Sequence, residues 1–344
     1  MKLRLLFFSG IFFAILFIFT EILLRASLVF LGYPFFRPSD YIYKGFYNNL
    51  QEVTQKTIRS DDAVKDILIL GGSVVSTPWS HLEARLDSIL RKHYGTGQKF
   101  AFYNIAGAGH TSLDNALKYS LLEKQRFDLV IYYEAINENR ANNIAAKDFK
   151  ADYSHIKWYR DIYLLRAHPE INFTVIPYLA DMLISTVRDK VTHKVYISQE
   201  KVDPALAGFG GDIKTAATYQ KNIQKIITTA QSRKDRLVLM SYATYFPPNF
   251  KLTGEESDMK HFAGCNYASP VTIWGSPENV RKGVQVHNGI LRKLVAANHV
   301  LFLDMENRMP KDSSLFCDVC HVSEPGAQRF AHEIVRCIVE NGAF

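Results

Sequence analysis

Short apolar segments alternate with amphipathic helical segments from residue 66 to the C-terminus, and this alternation constrains the fold more than any other feature. The apolar segments at 66–70, 100–105, 128–133, 237–240 and 300–303 have the length and composition of buried strands. Leu82, Leu86 and Leu90 share one face of a helix between two of them, and Ser80 with Glu83 fits a capping box at its start. The pattern predicts an α/β protein in which helices cover both faces of a central parallel sheet.

The overall composition is that of a globular protein, with 344 residues, 47% hydrophobic and 22% charged. The formal net charge is +7, but the Lys and Arg residues are spread along the chain without a dense run. No recognisable nucleic-acid-binding module accompanies them, so we do not expect a nucleic-acid partner. A basic surface close to anionic lipid headgroups is the preferred interpretation.

The N-terminal segment is apolar from residue 5 to residue 24, apart from a few small polar residues and Glu21. About 20 helical residues cross the hydrocarbon core of a bilayer, so this segment predicts a transmembrane helix. Glu21 and Arg25 are four residues apart and can pair on one helix face. A cleaved signal peptide is the alternative, but no small-x-small cleavage site follows promptly, which favours an uncleaved signal anchor. Lys2 and Arg4 place the short tail in the cytoplasm and the rest of the chain outside.

Three regions follow from this pattern. We expect a signal anchor or transmembrane helix over residues 1–31, a neck or linker over 32–62, and an α/β domain over 63–344. The strand–helix alternation breaks down at about 139–211. We interpret this stretch as an insertion or cap beside the ligand site expected at the carboxyl ends of the strands. The domain over 63–344 of such a single-pass protein would be extracytoplasmic, on the periplasmic side in a Gram-negative cell.

The chain has four cysteines, Cys265, Cys317, Cys320 and Cys337. In an exported domain this number permits two disulfides, with three alternative pairings. Cys317 and Cys320 also form a C-x-x-C motif, but the second motif or histidine pair that a closed zinc site needs is missing from the sequence. Structural pairing or burial is therefore the preferred interpretation.

Residues able to do chemistry follow several of the predicted strands. Ser73 ends a Gly-Gly-Ser turn after the first strand, where a nucleophilic hydroxyl needs tight backbone. The backbone N–H of Gly109 and the amide of Asn137 follow the next two strands and can donate to a reacting oxygen. Asp318 and His321 lie on one short loop, where the carboxylate can hold the imidazole while its other nitrogen accepts the serine proton.

Each of these features alone is more often structural: a turn glycine, a helix-capping Asn or a solvated Asp–His pair. Together, in this order at strand ends, they resemble the SGNH hydrolase superfamily, which includes the GDSL esterases and lipases. The resemblance covers residues 64–138 and 219–340. The segments that carry it are 67–75 with Ser73 at the nucleophile position, 104–109 with Gly109 at the oxyanion glycine, 127–138 with Asn137 at the family asparagine, and 318–321 followed by Gly326.

The resemblance implies an SGNH, flavodoxin-like, three-layer α/β/α sandwich. It also implies a serine esterase with the triad Ser73, His321 and Asp318, and an oxyanion hole formed by Ser73, Gly109 and Asn137, without a cofactor or metal. The usual Gly-Asp-Ser is Gly-Gly-Ser here, and Ala135 and Glu138 replace a glycine and an aspartate of the third segment, which indicates a divergent branch.

The substrate implied by the resemblance is an acyl ester, with a short acetyl group preferred and an acylated glycan or lipid as its carrier. Bacterial membrane-tethered SGNH proteins, to which the anchor and aromatic neck are similar, include enzymes acting on acyl groups of cell-surface glycans. Two alternatives remain open at this point: an O-acyltransferase of such glycans, and a non-catalytic protein that binds glycan or acts as a scaffold.

Overall fold

The computed structural model describes residues 2–59, 63–198, 202–247, 263, 265 and 268–344. Its centre is a five-stranded sheet in which every pairing is parallel and the strand order is β2-β1-β3-β4-β5. The strands are β1 (Val64–Gly71), β2 (Lys99–Asn104), β3 (Leu129–Tyr133), β4 (Arg236–Met240) and β5 (Leu301–Leu303). The five predicted strands are therefore confirmed, with ends displaced by no more than two residues.

The described residues also form helices. They are α1 (Lys2–Phe30), α2 (Leu50–Gln55), α3 (Thr77–Ser80), α4 (Leu82–Tyr94), α5 (Ser112–Leu121), α6 (Glu138–Asn142), α7 (Lys157–Ala167), α8 (Ile176–Val191), α9 (Pro204–Ala207), α10 (Ala216–Arg233), α11 (Pro277–Asn298), α12 (Met305–Arg308) and α13 (Glu324–Glu340). Helix α4 packs against α13, while α10 packs against both α5 and α11. The two groups form the outer layers of the predicted α/β/α sandwich, which is confirmed.

The central strands are buried along their length, as their apolar sequences predict. All residues of β3 are buried, and β1 is buried from Asp66 to Gly71. Strand order reverses at β1, since β2 lies on one side of it and β3 on the other. In open α/β sheets of this order, ligands bind beyond the carboxyl ends of the strands at the point of reversal. The fold therefore directs attention to the segments that follow β1, β2 and β3.

One local prediction was wrong. Ser80 ends the short helix α3, and its hydroxyl has no hydrogen-bond partner among the described residues, so it does not cap α4. Helix α4 begins instead after His81, whose backbone is left-handed with φ 46°. The capping box of this protein lies at α5, where Thr111 and Asp114 bond each other's backbone. The Ser80–Glu83 spacing matched the motif, but the left-handed turn at His81 separates the two helices.

The first helix is long and apolar enough to cross a membrane over Leu6–Phe30, a stretch of 25 residues. Most of its large apolar side chains are exposed along this length. Glu21 and Arg25 form the predicted pair, with Nε 2.7 Å from Oε1. The prediction of a membrane span therefore rests on the length and the composition of this helix.

The chain divides into two compact units. One comprises Met1–Gln51 and Lys157–Tyr196, and the other comprises Glu52–Ile156 and Ile197–Phe344. The first unit has its own small core, in which Leu28 of α1 packs with Leu165, Val175 and Tyr178. Much of the predicted insertion thus folds with the anchor and neck. The domain boundaries given above stay a prediction.

Candidate active site

The carboxyl ends of β1, β2 and β3 bring the predicted site segments together. The backbone N–H of Gly107, after β2, donates to the carbonyl of Gly71 at 3.3 Å. The side-chain amide of Asn137, after β3, donates to the carbonyl of His110 at 3.0 Å. These bonds tie the three strand-end segments to one another beside Ser73.

Two glycines precede Ser73, and close packing against β3 requires both. A Cβ on Gly71 would lie 2.5 Å from the carbonyl oxygen of Tyr133, and a Cβ on Gly72 would lie 2.0 Å from Oε2 of Glu134. Neither distance is tolerable for a real side chain. A short 3-10 helix over Ser73–Val75 then begins with the serine itself. The Gly-Gly pair is thus needed because the neighbouring strand end occupies the space that side chains would fill.

Ser73, His321 and Asp318 form a continuous hydrogen-bonded relay. The Ser73 Oγ lies 2.7 Å from His321 Nε2, and His321 Nδ1 lies 2.7 Å from Asp318 Oδ2. A carboxylate can only accept, so we assign the proton to Nδ1, which leaves Nε2 to accept from the serine hydroxyl. All three side chains are buried. This arrangement can deprotonate Ser73 as it attacks an electrophilic carbon.

The Asp318 carboxylate is held by several donors besides the imidazole. Its Oδ1 accepts from the backbone N–H groups of Cys320 and His321 at 2.8 and 2.7 Å, and its Oδ2 accepts from that of Ser269 at 2.7 Å. Burial raises the pKa of Asp318, but His321 and the backbone donors outweigh it and hold the pKa below its ordinary value. The carboxylate therefore stays ionised to orient the imidazole.

Two tryptophans surround the imidazole of His321. The ring of Trp79 stacks on it with centroids 3.9 Å apart and planes 18° apart, and Trp274 lies at 6.2 Å. Trp274 also donates its indole N–H to Oδ1 of Asn137 at 2.8 Å. Sequence reasoning missed both tryptophans because their positions in the chain follow no motif and only the tertiary structure brings them to the histidine.

Asn137 is buried in a network with Glu134. Its backbone N–H donates to Glu134 Oε1 at 2.7 Å, and its side-chain Nδ2 lies 3.1 Å from Oε2. Burial raises the pKa of Glu134 well above its ordinary value. Because Nδ2 also donates to His110, a substrate oxygen would have to share or replace one of these contacts. Glu134 was not identified from the sequence, and its carboxyl group occupies the space beside Gly72.

The other predicted oxyanion donors are backbone groups. Gly109 has φ 73°, a left-handed conformation that glycine adopts without strain. Within the part of the chain that the structure describes, no hydrogen bond takes up the N–H of Ser73 or of Gly109. Both groups therefore remain available as donors to a developing oxyanion.

A buried lysine supports the segment between β2 and α5. Lys118 Nζ reaches His110 Nδ1 at 2.8 Å and also bonds the carbonyl of Ile105. Burial lowers the pKa of His110 to about 3 and that of Lys118 to about 7. The His110 ring fills the space beside Gly107, so it is a core residue.

The cysteines are resolved into one disulfide and two buried thiols. Cys265 pairs with Cys317, while Cys320 and Cys337 are free. Among the described residues, Asp318, Cys320 and His321 offer metal-ligating atoms within 4.8 Å of one another. Burial raises the pKa of the Cys320 thiol well above its ordinary value, which opposes the thiolate that zinc requires. The carboxylate and imidazole are already paired in the relay.

No protein-family model matches the chain, and no curated protein matches it. Solved structures similar to it include an acetylxylan esterase from Geobacillus stearothermophilus, at 12% identity and TM-score 0.43, covering 82% of this chain and 96% of that one. A putative acylhydrolase from Bacteroides fragilis has 12% identity and TM-score 0.45, covering 87% and 98%. A GDSL-like lipase from Bacteroides thetaiotaomicron has 13% identity and TM-score 0.42, also covering 87% and 98%. Among solved structures the chain is thus similar to these three proteins, at low sequence identity.

Proposed function

We propose that this chain is a membrane-tethered serine esterase that acts on a short acyl ester, with Ser73 as nucleophile, His321 as base and Asp318 as the orienting carboxylate. The observation that carries the proposal is the relay of two 2.7 Å contacts from Ser73 Oγ through the imidazole to Asp318. A Ser-His-Asp arrangement of this geometry is the one that activates a hydroxyl for acyl transfer on unrelated folds.

The proposed reaction has two steps. Ser73 Oγ attacks the ester carbonyl while His321 Nε2 takes its proton, and the C–O bond to the alcohol breaks as the imidazolium returns that proton to the leaving oxygen. Water, deprotonated by the same nitrogen, then attacks the acyl-serine; the bond between the acyl carbon and Ser73 Oγ breaks, the imidazolium returns the proton to Oγ, and the acid leaves. The N–H groups of Ser73 and Gly109, with the Asn137 amide, donate to the oxyanion of both tetrahedral intermediates.

The near-complete burial of the triad supports a small acyl group. Ser73 is only 6% exposed, and the stacked Trp79 ring covers one face of His321. A long acyl chain would need an open apolar groove at this position. An acetyl group needs little space, so we expect short-chain esters to be the better substrates.

The tether is proposed from α1. Its exposed apolar side chains and the 25-residue length of its apolar stretch, Leu6–Phe30, support a single membrane span. Lys2 and Arg4 precede the span, which supports an extracytoplasmic location for the remainder of the chain. An acylated glycan or lipid of the cell envelope would then be accessible to the enzyme.

The test is turnover of p-nitrophenyl acetate by the full chain in detergent micelles. We expect Ser73→Ala and His321→Ala to lower kcat by about 10⁴-fold or more, as for other members of a catalytic unit. Ser120→Ala is the matched control, because this partly buried hydroxyl bonds only the carbonyl of Leu117 in its own helix. Equal rates for wild type and Ser73→Ala would contradict the assignment of the nucleophile.

Two further measurements separate the alternatives. A fluorophosphonate probe should label wild-type Ser73 and fail to label the His321→Ala variant, whereas a binding or scaffold protein would not be labelled at all. Turnover in the presence of methyl glucoside separates hydrolysis from transfer: acetate alone indicates an esterase, and acetylated glucoside indicates an O-acyltransferase.

A further inference from the structure

Helix α8 (Ile176–Val191) has two apolar faces, of which only one packs against the protein. Tyr178 and Ser185 are buried, and Met182 packs against the small core of the first unit. At 3.6 residues per turn these side chains lie on one side of the helix. The second apolar face lies on the opposite side of the helix, where no packing within this unit is described.

That second face carries large and strongly exposed side chains. Leu183, Ile184, Val187 and Val191 are 64%, 63%, 53% and 72% exposed. Their spacing places them within about 100° of arc on one side of the helix. Single exposed apolar residues are ordinary on a protein surface, but a continuous stripe of this length marks an interaction site.

The start of α8 is attached to the end of the apolar helix α1. The Glu21 carboxylate accepts from the backbone N–H of Val175 at 2.9 Å and from the Thr174 hydroxyl at 2.9 Å. Leu28, two residues before the end of α1, packs against Tyr178 in the core of this unit. Helix α8 thus begins beside the last turns of the helix that is long enough to span a bilayer.

Exposed aromatic rings lie at the same attachment. Arg25 donates to the carbonyls of Phe35 and Asn172 at 2.8 and 3.0 Å. The next residue after each acceptor, Phe36 and Phe173, has its ring exposed. Aromatic side chains at this position relative to an apolar span are typical of the boundary between hydrocarbon and water.

Cationic residues lie at both edges of the exposed apolar stripe of α8. Arg188 and Lys190 are exposed and border the apolar stripe on either side. Asp189 is paired with Arg160 at 3.0 Å and its side chain is 11% exposed, whereas Asp181 is paired with His168 at 3.3 Å and its side chain is 49% exposed beside the Arg188 edge. The exposed side is therefore apolar with a cationic border, which complements an anionic lipid surface.

We propose that α8 lies in the plane of the bilayer interface, with Leu183, Ile184, Val187 and Val191 inserted at the boundary between headgroups and acyl chains. This contact rests on the proposed tether by α1 and adds a second attachment beside it. A helix fixed along the surface would restrain the rotation of the first unit about the axis of α1, which a single span does not do. Arg188 and Lys190 extend to the anionic headgroups from the two edges of the stripe.

The test places an environment-sensitive fluorophore on single cysteines in the full chain, at Val187, at Phe12 within the span, and at Lys92 on α4. The native thiols Cys320 and Cys337 are buried and the other two cysteines form a disulfide, so the introduced cysteine is the accessible thiol among the described residues. Each protein is reconstituted into vesicles of phosphatidylcholine and phosphatidylglycerol that carry a nitroxide near the glycerol end of the acyl chain.

We expect the nitroxide lipid to quench the labels at Val187 and Phe12 to a comparable degree, and iodide in the water to quench the label at Lys92 severalfold more than either. A double substitution Leu183→Asp and Ile184→Asp should abolish lipid quenching at Val187 while leaving that at Phe12 unchanged. Because these side chains are exposed, neither substitution removes a core contact.

Three results would overturn the proposal. Iodide quenching at Val187 equal to that at Lys92, with Phe12 protected, would show that α8 faces water although the tether is correct. Protection of Val187 from both quenchers, with a disulfide formed between Val187→Cys copies, would identify a protein interface instead. Iodide quenching at both Phe12 and Val187 would overturn the tether and the α8 contact together, and would leave the esterase activity as a separate question.

Discussion

Replacement of Gly72 by alanine should disable the site while leaving the sheet intact. An ideal Cβ at this position would lie 2.0 Å from Oε2 and 3.1 Å from Cδ of Glu134, and 2.8 Å from Nδ2 of Asn137. Contacts between non-bonded heavy atoms require roughly 3.5 Å, so the carboxyl group would have to retreat by more than about 1 Å. Glu134 is buried, and β3 leads directly into it, so it has little room to move.

The expected loss of activity in Gly72→Ala follows from the hydrogen bonds between Glu134 and Asn137. Its carboxyl accepts from the backbone and side-chain N–H groups of Asn137 at 2.7 and 3.1 Å, and a retreat breaks one or both bonds. Breaking a buried hydrogen bond costs about 1–3 kcal/mol of stability. Misplacing a proposed oxyanion donor by about 1 Å costs roughly 10²-fold in rate, and losing it costs about 10²–10³-fold. We therefore expect kcat/KM of Gly72→Ala to fall by about 10²–10³-fold.

The assay is hydrolysis of p-nitrophenyl acetate, with thermal unfolding measured on the same preparations. Glu134→Ala alone should also lower kcat/KM, because Asn137 loses its support. The double variant Gly72→Ala, Glu134→Ala should be no less active than Glu134→Ala, since the new methyl group then occupies the vacated space. Gly289→Ala is the control, because a Cβ at this position in α11 meets no atom within 4 Å.

Two outcomes would refute the reasoning. A folded Gly72→Ala variant with wild-type kcat/KM would show that the space beside Ser73 is not occupied as described. Additive losses in the double variant would show that Gly72 and Glu134 act independently, because residues that compete for one volume must be coupled.

Further predictions concern the triad, two buried ionisable groups and the disulfide. Asp318→Asn should lower kcat for p-nitrophenyl acetate by about 10⁴-fold without unfolding the protein, because the imidazole loses its orienting acceptor; a loss below tenfold would contradict the relay. Burial lowers the pKa of Lys118 to about 7. Between about pH 7 and about pH 10.4 the unfolded chain therefore binds more protons than the folded chain, and stability rises with pH. Lys118→Met should abolish this rise, measured by thermal unfolding. Burial raises the pKa of Glu138 to about 7, so stability falls as pH increases from about 4.3 to about 7; Glu138→Gln should remove that fall, and an unchanged pH profile would contradict the buried carboxyl. The Cys265–Cys317 bond closes a separation of 52 residues, so Cys265→Ser with Cys317→Ser should lower the free energy of unfolding by about 4 kcal/mol, measured by chemical denaturation; an unchanged denaturation midpoint would argue that the bond adds no stability.

The fold class was predictable because it depends on short-range patterns. A buried parallel strand needs a run of apolar residues, and β1 and β3 show such runs in the sequence without reference to anything else. The strand order β2-β1-β3-β4-β5 could not be predicted in this way, because pairing partners lie far apart in the chain. The Ser80–Glu83 capping box failed because its spacing was correct but the backbone at His81 turns left-handed.

The candidate triad was predictable for a related reason. Asp318 and His321 are three residues apart, so their contact is a local property of one loop, while Ser73 follows a recognisable Gly-Gly turn. That these groups meet at 2.7 Å depends on the sheet bringing the end of β1 to the loop before α13.

The sequence by itself determined the α/β alternation, an apolar helix long enough for a membrane, and the residue types of a serine relay. Only the tertiary structure decided which side chains surround that relay. Trp79 over His321 and Glu134 beside Gly72 come from different elements and match no motif. Periodicity and motif spacing reflect contacts between residues that are close in the chain. The space that each side chain fills depends instead on packing between segments that are far apart in the chain, and sequence patterns do not show which of these segments come together.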